Sequence, residues 1–285
     1  GGWCWRSVGG WCWSTGVGVR VLVLVLEYVY WCWSTCTGGE LIMNTATQAS
    51  PLQDVHGDGR WLSMHNRFVN QAREMEPDVV FVGDSLVANL QSTDLWEKWF
   101  APMHSLNFGI GGDQTQHVLW RLKNGELEYI KPKAVVVLVG TNNHDHSADE
   151  VAEGITEIFQ AIREKQPQAY IVILTLLPRG EKPNPLREKN SEVNVLIKEA
   201  LRQADLCQVV NIDRDLVLSD GTIDHRDMYD YLHLTSQGYR RAFEPVYMLL
   251  TNLLHENDTA LLNDAALASP ASDNPPADNR GTCVE

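Results

Sequence analysis

Cysteine is scarce in the long middle of this chain. Four of the six cysteines lie within the first 36 residues, one is Cys283, and only Cys207 lies between them. A single thiol cannot form an internal bridge, so the sequence predicts no disulfide framework. This usage favours a reducing compartment, and we expect a cytoplasmic protein.

Basic charge and long apolar runs are also lacking. The chain has 23 Lys and Arg against 37 Asp and Glu, with a net charge of −14. This balance argues against a partner that is a nucleic acid or an anionic membrane surface. Arg20 and Glu27 interrupt the apolar run at 17–26, so no stretch of eighteen uncharged apolar residues predicts a membrane span.

The two ends of the chain differ from its middle. Residues 1–42 repeat Trp-Cys-Trp strings and are predicted to be a low-complexity extension outside the fold, with Met43 as the ordinary start. Residues 256–285 carry six acidic residues and one Arg without apolar periodicity, which predicts a disordered acidic tail. The folded domain is therefore expected at 43–255.

This middle part alternates short apolar runs with amphipathic stretches. The strand-like runs are at 78–83, 104–109, 133–140, 169–177 and 207–213. The amphipathic stretches are at 86–99, 113–123, 147–166, 186–204 and 236–254. Nearly unbroken apolar runs are typical of strands buried on both faces. The pattern predicts an α/β fold, a three-layer sandwich with a central parallel sheet of about five strands, in which ligands bind at the carboxyl ends of the strands.

Ser85 follows the first predicted strand directly, where a helix begins. A hydroxyl at that position is presented at the sheet edge, near the positive end of a helix dipole that favours developing negative charge. The alternative is that Ser85 only caps the helix. The local sequence is not the G-x-S-x-G turn of α/β-hydrolases, because Val87 replaces the second glycine.

Two further polar segments follow the next two strands. Three glycines at 109–112 lie in a loop where backbone N–H groups can approach a ligand, and Gln114 argues against a dinucleotide fingerprint. Asn142 follows the third strand and can offer its side-chain N–H to an oxyanion. Taken alone, each segment is more often a structural turn than a binding element.

Asp230 and His233 precede the last predicted helix. Three residues apart on a turn, the carboxylate can orient the imidazole and stabilise its protonated form, although a lone pair of this kind is more often an exposed surface pair. The four features together supply a nucleophile, oxyanion donors and an acid–base pair in chain order. That combination predicts a serine hydrolase.

These residues resemble the four sequence blocks of the SGNH, or GDSL, hydrolase family: Gly83-Asp84-Ser85-Leu86, Gly112, Gly140-Thr141-Asn142 and Asp230-x-x-His233. Longer strings at 107–113, 117–122, 176–180, 183–187 and 225–234 resemble one branch of that family, the catalytic α subunits of intracellular type I platelet-activating factor acetylhydrolases. Arg226 interrupts the last string. The resemblance covers roughly residues 50–252.

The resemblance implies a flavodoxin-like SGNH fold and an esterase that removes the sn-2 acetyl group of platelet-activating factor and similar acetylated phospholipids. It implies a catalytic triad of Ser85, Asp230 and His233, an oxyanion hole from the Ser85 and Gly112 N–H groups and Asn142, and an acyl pocket lined by Leu86, Thr141 and Leu232. No cofactor or metal is implied. The implied partners are a second catalytic α subunit, in a homodimer or heterodimer, and a WD-repeat propeller regulatory subunit, the lissencephaly protein.

Two other functions stay open at this point. One is a catalytically idle or secondary binding partner of the propeller. The other is a metal-dependent hydrolase, with ligands drawn from Asp224, His225, Asp227, Asp230 and His233 and from His144, Asp145 and His146.

Overall fold

The computed structural model describes the backbone of residues 43–268 and the side chains of residues 43–255. The extension predicted at 1–42 and the last part of the predicted tail lie outside these residues. In the described part, no helix combines the length and the apolarity needed to cross a bilayer.

In the part of the chain that the structure describes, five parallel strands form one sheet in the order β2-β1-β3-β4-β5. They are β1 Val79–Gly83, β2 Ser105–Gly109, β3 Ala134–Leu138, β4 Tyr170–Leu174 and β5 Cys207–Val210. The chain runs outwards from β1 to β2 and then places β3 on the other side of β1. The carboxyl ends of β1 and β3 therefore flank the point where the strand order reverses, which is where such sheets bind ligands.

Among the described residues, six α-helices lie before, between or after the strands: α1 Arg60–Glu74, α2 Ser85–Leu90, α3 Thr115–Arg121, α4 Ala148–Lys165, α5 Pro185–Ala200 and α6 Ser236–Ala268. Ser147 and Glu150 form a capping box at the start of α4, and Asn184 caps α5 just before its proline. These local signals explain why both helices begin where the sequence predicts.

Aromatic side chains cover both faces of the sheet. Phe81 pairs in register with Asn107, so Phe81 and Phe108 point to opposite faces. Phe108 stacks on Phe68 of α1 at a ring distance of 4.9 Å, whereas Phe81 packs edge-on against Phe100 at 4.9 Å. The predicted three-layer α/β sandwich is confirmed.

Several boundaries differ from the prediction. The helix expected at 86–99 ends at Leu90, because the Thr93 hydroxyl donates to the Leu90 carbonyl at 2.7 Å and accepts from the Trp96 N–H at 3.2 Å. A π-helical turn, Trp96–Phe100, follows. β5 is an edge strand with an exposed Gln208 and is not buried on both faces as expected.

Two helices depart further from the sequence pattern. α1 was not predicted, since it begins after Gly59 in a left-handed conformation and no side chain of the described residues caps it. α6 was expected to end at 254 and instead continues to Ala268, into the segment expected to be a disordered tail. Residues 259–268 are rich in Ala and Leu and contain no Gly or Pro, which favours helix continuation.

Candidate active site

Ser85, His233 and Asp230 form one hydrogen-bonded line. The Ser85 Oγ lies 3.0 Å from the His233 Nε2, and the His233 Nδ1 lies 2.7 Å from the Asp230 Oδ2. The serine and the histidine are 148 residues apart in the chain. The structure therefore brings together the three side chains that the sequence predicts as a triad, in the order hydroxyl, imidazole, carboxylate.

The position of Ser85 follows from the sharp exit of β1. All five residues of β1 are buried, and a Cβ at Gly83 would overlap the Leu138 carbonyl, so the strand can pass β3 this closely only with glycine there. Asp84 then caps α2 by accepting the Leu86 N–H at 2.9 Å. Ser85 is the first residue of α2, half-buried at the carboxyl edge of the sheet.

A tight turn places the imidazole beside the serine. The Asp230 Oδ1 accepts the backbone N–H groups of Leu232, at 3.1 Å, and of His233, at 2.6 Å. Burial alone would raise the pKa of Asp230, but the hydrogen bonds from the His233 ring and from these two N–H groups outweigh it and lower that pKa. An ionised Asp230 holds a proton on Nδ1 and leaves Nε2 to accept from Ser85.

Tyr229 adds a contact that the sequence did not reveal. Its ring stacks on the His233 imidazole at a centroid distance of 5.9 Å and an angle of 17°. The stacked ring restricts the rotation of His233, and its electron-rich face suits a charged imidazolium.

The glycine loop that carries one candidate oxyanion donor, Gly112, lies next to Ser85. A Cβ at Gly111 would sit 3.9 Å from the Ser85 Cβ, and Gly112 has a φ of +84°, which glycine adopts without strain. Within the described residues, neither the Ser85 nor the Gly112 N–H donates to another protein group. Asn142 is tied to the same loop, since its Nδ2 donates to the Asp113 carbonyl at 3.0 Å.

Two cationic side chains, Lys189 and Arg179, bind the backbone of the loop that carries Asn142. Lys189 donates from Nζ to the carbonyl oxygens of Asn143, at 2.7 Å, His144, at 3.2 Å, and His146, at 3.0 Å. Arg179 donates from Nη1 to the Thr141 carbonyl at 2.8 Å. These contacts fix the backbone of residues 141–146 at the end of β3.

The three predicted acyl-pocket residues differ in exposure. Leu86 and Thr141 are buried and Leu232 is half-buried. Leu86 is further fixed because its carbonyl accepts the Tyr239 hydroxyl at 2.7 Å. Each flanks a residue named above in sequence: Leu86 follows Ser85, Thr141 precedes Asn142 and Leu232 precedes His233.

The loop of Gly111 also forms one wall of a cavity of about 780 Å³. Most of the other walls are apolar and include Leu52, Trp61, Ile110 and Trp120. The cavity adjoins the glycine loop, and Ser85, Asp230 and His233 are not among the residues that line it.

Asp84 is a second unusual carboxylate at the site. Its side chain is fully buried, and its Oδ2 has no hydrogen-bond partner among the described residues. Burial raises the pKa of Asp84 to about 7, the Leu86 N–H opposes this, and the nearby charge of Asp113 adds to it.

The residues named for a metal site do not gather into one. Asp224 pairs with Arg226, Asp227 pairs with Arg241 at 2.8 Å, and the His146 Nε2 lies 2.8 Å from the Thr45 hydroxyl. Among the described residues, no group of three His, Cys, Asp or Glu side chains is arranged to hold a metal ion.

A buried polar cluster next to residues 110–112, the oxyanion loop, was not predicted from the sequence. It joins Trp61, Asp113 and Arg121. Asp113 and Arg121 stood within strings that carry the family resemblance, but nothing in those strings indicated that the two side chains meet.

Comparison with known proteins gives a consistent result. The family model of the GDSL-like Lipase/Acylhydrolase family matches residues 81–241. The chain is 55% identical over 214 residues to the human platelet-activating factor acetylhydrolase IB subunit alpha1, covering 75% of this chain and 93% of that protein. It is 55% identical over 213 residues to the mouse IB subunit alpha2, with 75% and 93% covered.

Solved structures share the fold. A GDSL-like lipase from Bacteroides thetaiotaomicron superposes with a TM-score of 0.58 at 18% identity, covering 66% of this chain and 97% of that one. A carbohydrate acetylesterase from Sinorhizobium meliloti superposes with a TM-score of 0.50 at 15% identity, covering 62% and 100%. The chain belongs to the GDSL-like lipase/acylhydrolase family, whose members are carboxylic ester hydrolases.

Proposed function

We propose that the chain is a serine esterase that removes the acetyl group from the sn-2 position of platelet-activating factor and similar acetylated phospholipids. The hydrogen-bonded line from Ser85 through His233 to Asp230 carries this proposal. The names of the relatives, which are platelet-activating factor acetylhydrolase subunits, support the choice of substrate.

In the first half-reaction, the Ser85 oxygen attacks the acetyl carbonyl while its proton passes to the His233 Nε2. Asp230 stabilises the imidazolium that forms. When the tetrahedral intermediate collapses, the imidazolium gives this proton to the departing lysophospholipid oxygen. The second half repeats these steps with water as the nucleophile, and it releases acetate and restores Ser85.

The intermediate carries a negative oxygen that needs donors. In this proposal they are the Ser85 and Gly112 N–H groups and the Asn142 amide. One donor of this kind typically raises kcat by a factor of about 10²–10³. Neither N–H group has another acceptor in the described chain, and the Asn142 amide keeps a second hydrogen beyond the one given to Asp113.

The acyl selectivity is assigned to Leu86, Thr141 and Leu232, whose bulk beside Ser85 would admit an acetyl group and exclude longer chains. We expect kcat/KM to fall about tenfold or more from acetyl to butyryl esters of one alcohol. Leu232→Ala should flatten this dependence, and Leu206→Ala, at a half-exposed leucine near β5, should not. A flat chain-length profile of the parent chain would contradict the acyl wall, and no hydrolysis at any length would contradict the function.

The assembly state belongs to the same proposal. We expect a dimer of catalytic subunits, homo- or heteromeric, that binds a WD-repeat propeller in the cytoplasm through the domain at 43–255. The names of the relatives as subunits and the net charge of −14, which suits a basic partner face, support this. Light scattering after size-exclusion chromatography, with and without the propeller protein, tests it. A monomeric mass in both samples would contradict it.

A further inference from the structure

Asp113 directly follows the oxyanion loop in the chain. Trp61 and Arg121 each donate a hydrogen bond to its carboxylate, and we call these two side chains the clamp. The Asp113 side chain is fully buried. Its Oδ1 accepts the Trp61 indole N–H at 2.6 Å, and its Oδ2 accepts the Arg121 Nε–H at 2.8 Å. Charge-assisted hydrogen bonds of this kind are strong and directional, so the orientation of Asp113 is fixed.

Arg121 is in turn anchored to the strands that deliver the site. Its guanidinium is fully buried, and Nη2 donates to the carbonyl oxygens of Gly83, at 3.2 Å, and Phe108, at 3.0 Å. Nη1 donates to the Glu126 Oε2 at 2.6 Å. Arg121 therefore ties Asp113 to the carboxyl ends of β1 and β2, which lead to Ser85 and Gly112.

The backbone of Asp113 contacts the oxyanion donors themselves. Asp113 follows Gly112 and closes its turn by donating its N–H to the Ile110 carbonyl at 3.3 Å. Its carbonyl accepts the Asn142 Nδ2–H at 3.0 Å. A displacement of the Asp113 backbone would thus move the Gly112 turn and weaken the contact with the Asn142 amide together.

Burial of these charged side chains opposes folding because it removes them from water. Burial raises the pKa of Asp113 despite the opposing pull of Arg121 and Trp61. Apolar side chains of similar volume often stabilise a core as well as a buried ion pair does, but they cannot fix the orientation of one peptide unit. We therefore interpret the buried charges as groups that hold Asp113 in one orientation.

We propose that Asp113, clamped by Trp61 and Arg121, is a positioning residue that aims the Asn142 amide and the Gly112 turn at the oxyanion. This inference rests on the proposed esterase function. It predicts that loosening the clamp lowers kcat and leaves KM nearly unchanged, because the donors act mainly in the transition state.

The diagnostic variant is Trp61→Phe, which removes the indole N–H and keeps an aromatic ring. Asp113→Asn would leave Arg121 beside one carboxylate instead of two, and we expect it to unfold the chain. Hydrolysis of 4-nitrophenyl acetate by the full chain gives kcat and KM. We expect Trp61→Phe to lower kcat by about tenfold, the size of one lost hydrogen bond to a charged group, with KM within about twofold.

A double-mutant cycle separates positioning from general destabilisation. In a chain that already carries Asn142→Ala, the part of the effect that passes through Asn142 is absent, so Trp61→Phe should lower kcat by no more than about threefold. Trp96→Phe is the matched control, because Trp96 is a buried tryptophan that packs on Phe81 away from the loop. It should lower the melting temperature and leave kcat within about twofold.

Three results would overturn the inference. Equal effects of Trp61→Phe with and without the Asn142 amide would show that the clamp does not act through Asn142. An equal loss of kcat in Trp96→Phe would show a purely structural effect. A parent chain that hydrolyses no acetyl ester would overturn the proposed function and this inference together, whereas an active parent with additive effects would overturn the inference alone.

Discussion

Asp230→Asn should remove catalysis and spare the fold. The asparagine oxygen can still accept the Leu232 and His233 backbone N–H groups that Asp230 now binds at 3.1 and 2.6 Å. Facing the His233 Nδ1, however, the new amide donates where the carboxylate accepted at 2.7 Å. The imidazole then carries its proton on Nε2 and cannot take the proton of Ser85.

The size of the loss follows from this tautomer change. An imidazole in the wrong tautomer lowers kcat by about 10³–10⁴, which corresponds to about 4–5 kcal/mol in the barrier. Stability should change little, since the Asp230 side chain is 43% exposed and a pair this open contributes less than about 1 kcal/mol. Steady-state hydrolysis of an acetyl ester and a thermal melt on the same sample give both quantities.

Asp220→Asn is the matched control. The Asp220 carboxylate also accepts two hydrogen bonds from a following residue, the Thr222 N–H at 2.9 Å and the Thr222 hydroxyl at 2.7 Å, but it bonds to no imidazole among the described residues. Both activity and melting temperature should stay near those of the parent chain. If Asp230→Asn keeps more than about a tenth of the activity, or unfolds the chain, the role assigned to Asp230 is wrong.

Three further substitutions test separate parts of the site. Ser85→Ala and His233→Ala should each reduce kcat to near background, and the double variant no further, because a triad acts as a unit; a double variant much slower than either single one would contradict this. Tyr239→Phe removes the hydroxyl that donates to the buried Leu86 carbonyl and should lower the free energy of unfolding by about 1–2 kcal/mol in urea titrations, and an unchanged midpoint would contradict that contact. Burial raises the pKa of Asp84 to about 7 from 3.8, so its proton stabilises the folded chain at low pH and this stabilisation is lost as the pH rises through the folded value. Between pH 5 and pH 8 the free energy of unfolding of the parent chain should therefore fall by about 2–3 kcal/mol more than that of Asp84→Asn. Equal decreases would contradict a buried protonated carboxyl.

Most of the fold was predictable because its signals are local. Buried parallel strands read as unbroken apolar runs, and caps such as Ser147 and Asn184 mark where helices begin. α1 lacked such a cap, and α2 is cut short by a hydroxyl contact of Thr93 that no periodicity displays. Boundaries of this kind depend on individual hydrogen bonds.

The site was predictable for a topological reason. Parallel strands end at one edge of the sheet, so the residues that follow β1, β2 and β3 meet without any knowledge of their side-chain contacts. Asp230 and His233 were placed by their spacing on a turn and by the family resemblance. Their contact with Ser85 spans 148 residues and needed the structure.

The clamp behind the oxyanion loop was not predictable in this way. Trp61 and Asp113 are 52 residues apart, and Trp61 lies on the helix that the sequence pattern did not reveal. The Asn142 side chain donates to the backbone carbonyl of Asp113. Every residue has such a carbonyl, so the residue type at 113 does not indicate this contact. Buried contacts between distant side chains depend on the packing of whole elements, and that packing is absent from local patterns.

The central claim is that Ser85 is the nucleophile, and covalent trapping tests it most directly. A fluorophosphonate should add once per chain, with loss of acetyl-ester hydrolysis in proportion to labelling, and peptide mapping should place the adduct on Ser85. Ser85→Ala should neither be labelled nor turn over substrate. Full hydrolysis by Ser85→Ala, or an inactivating adduct on another residue, would contradict the account.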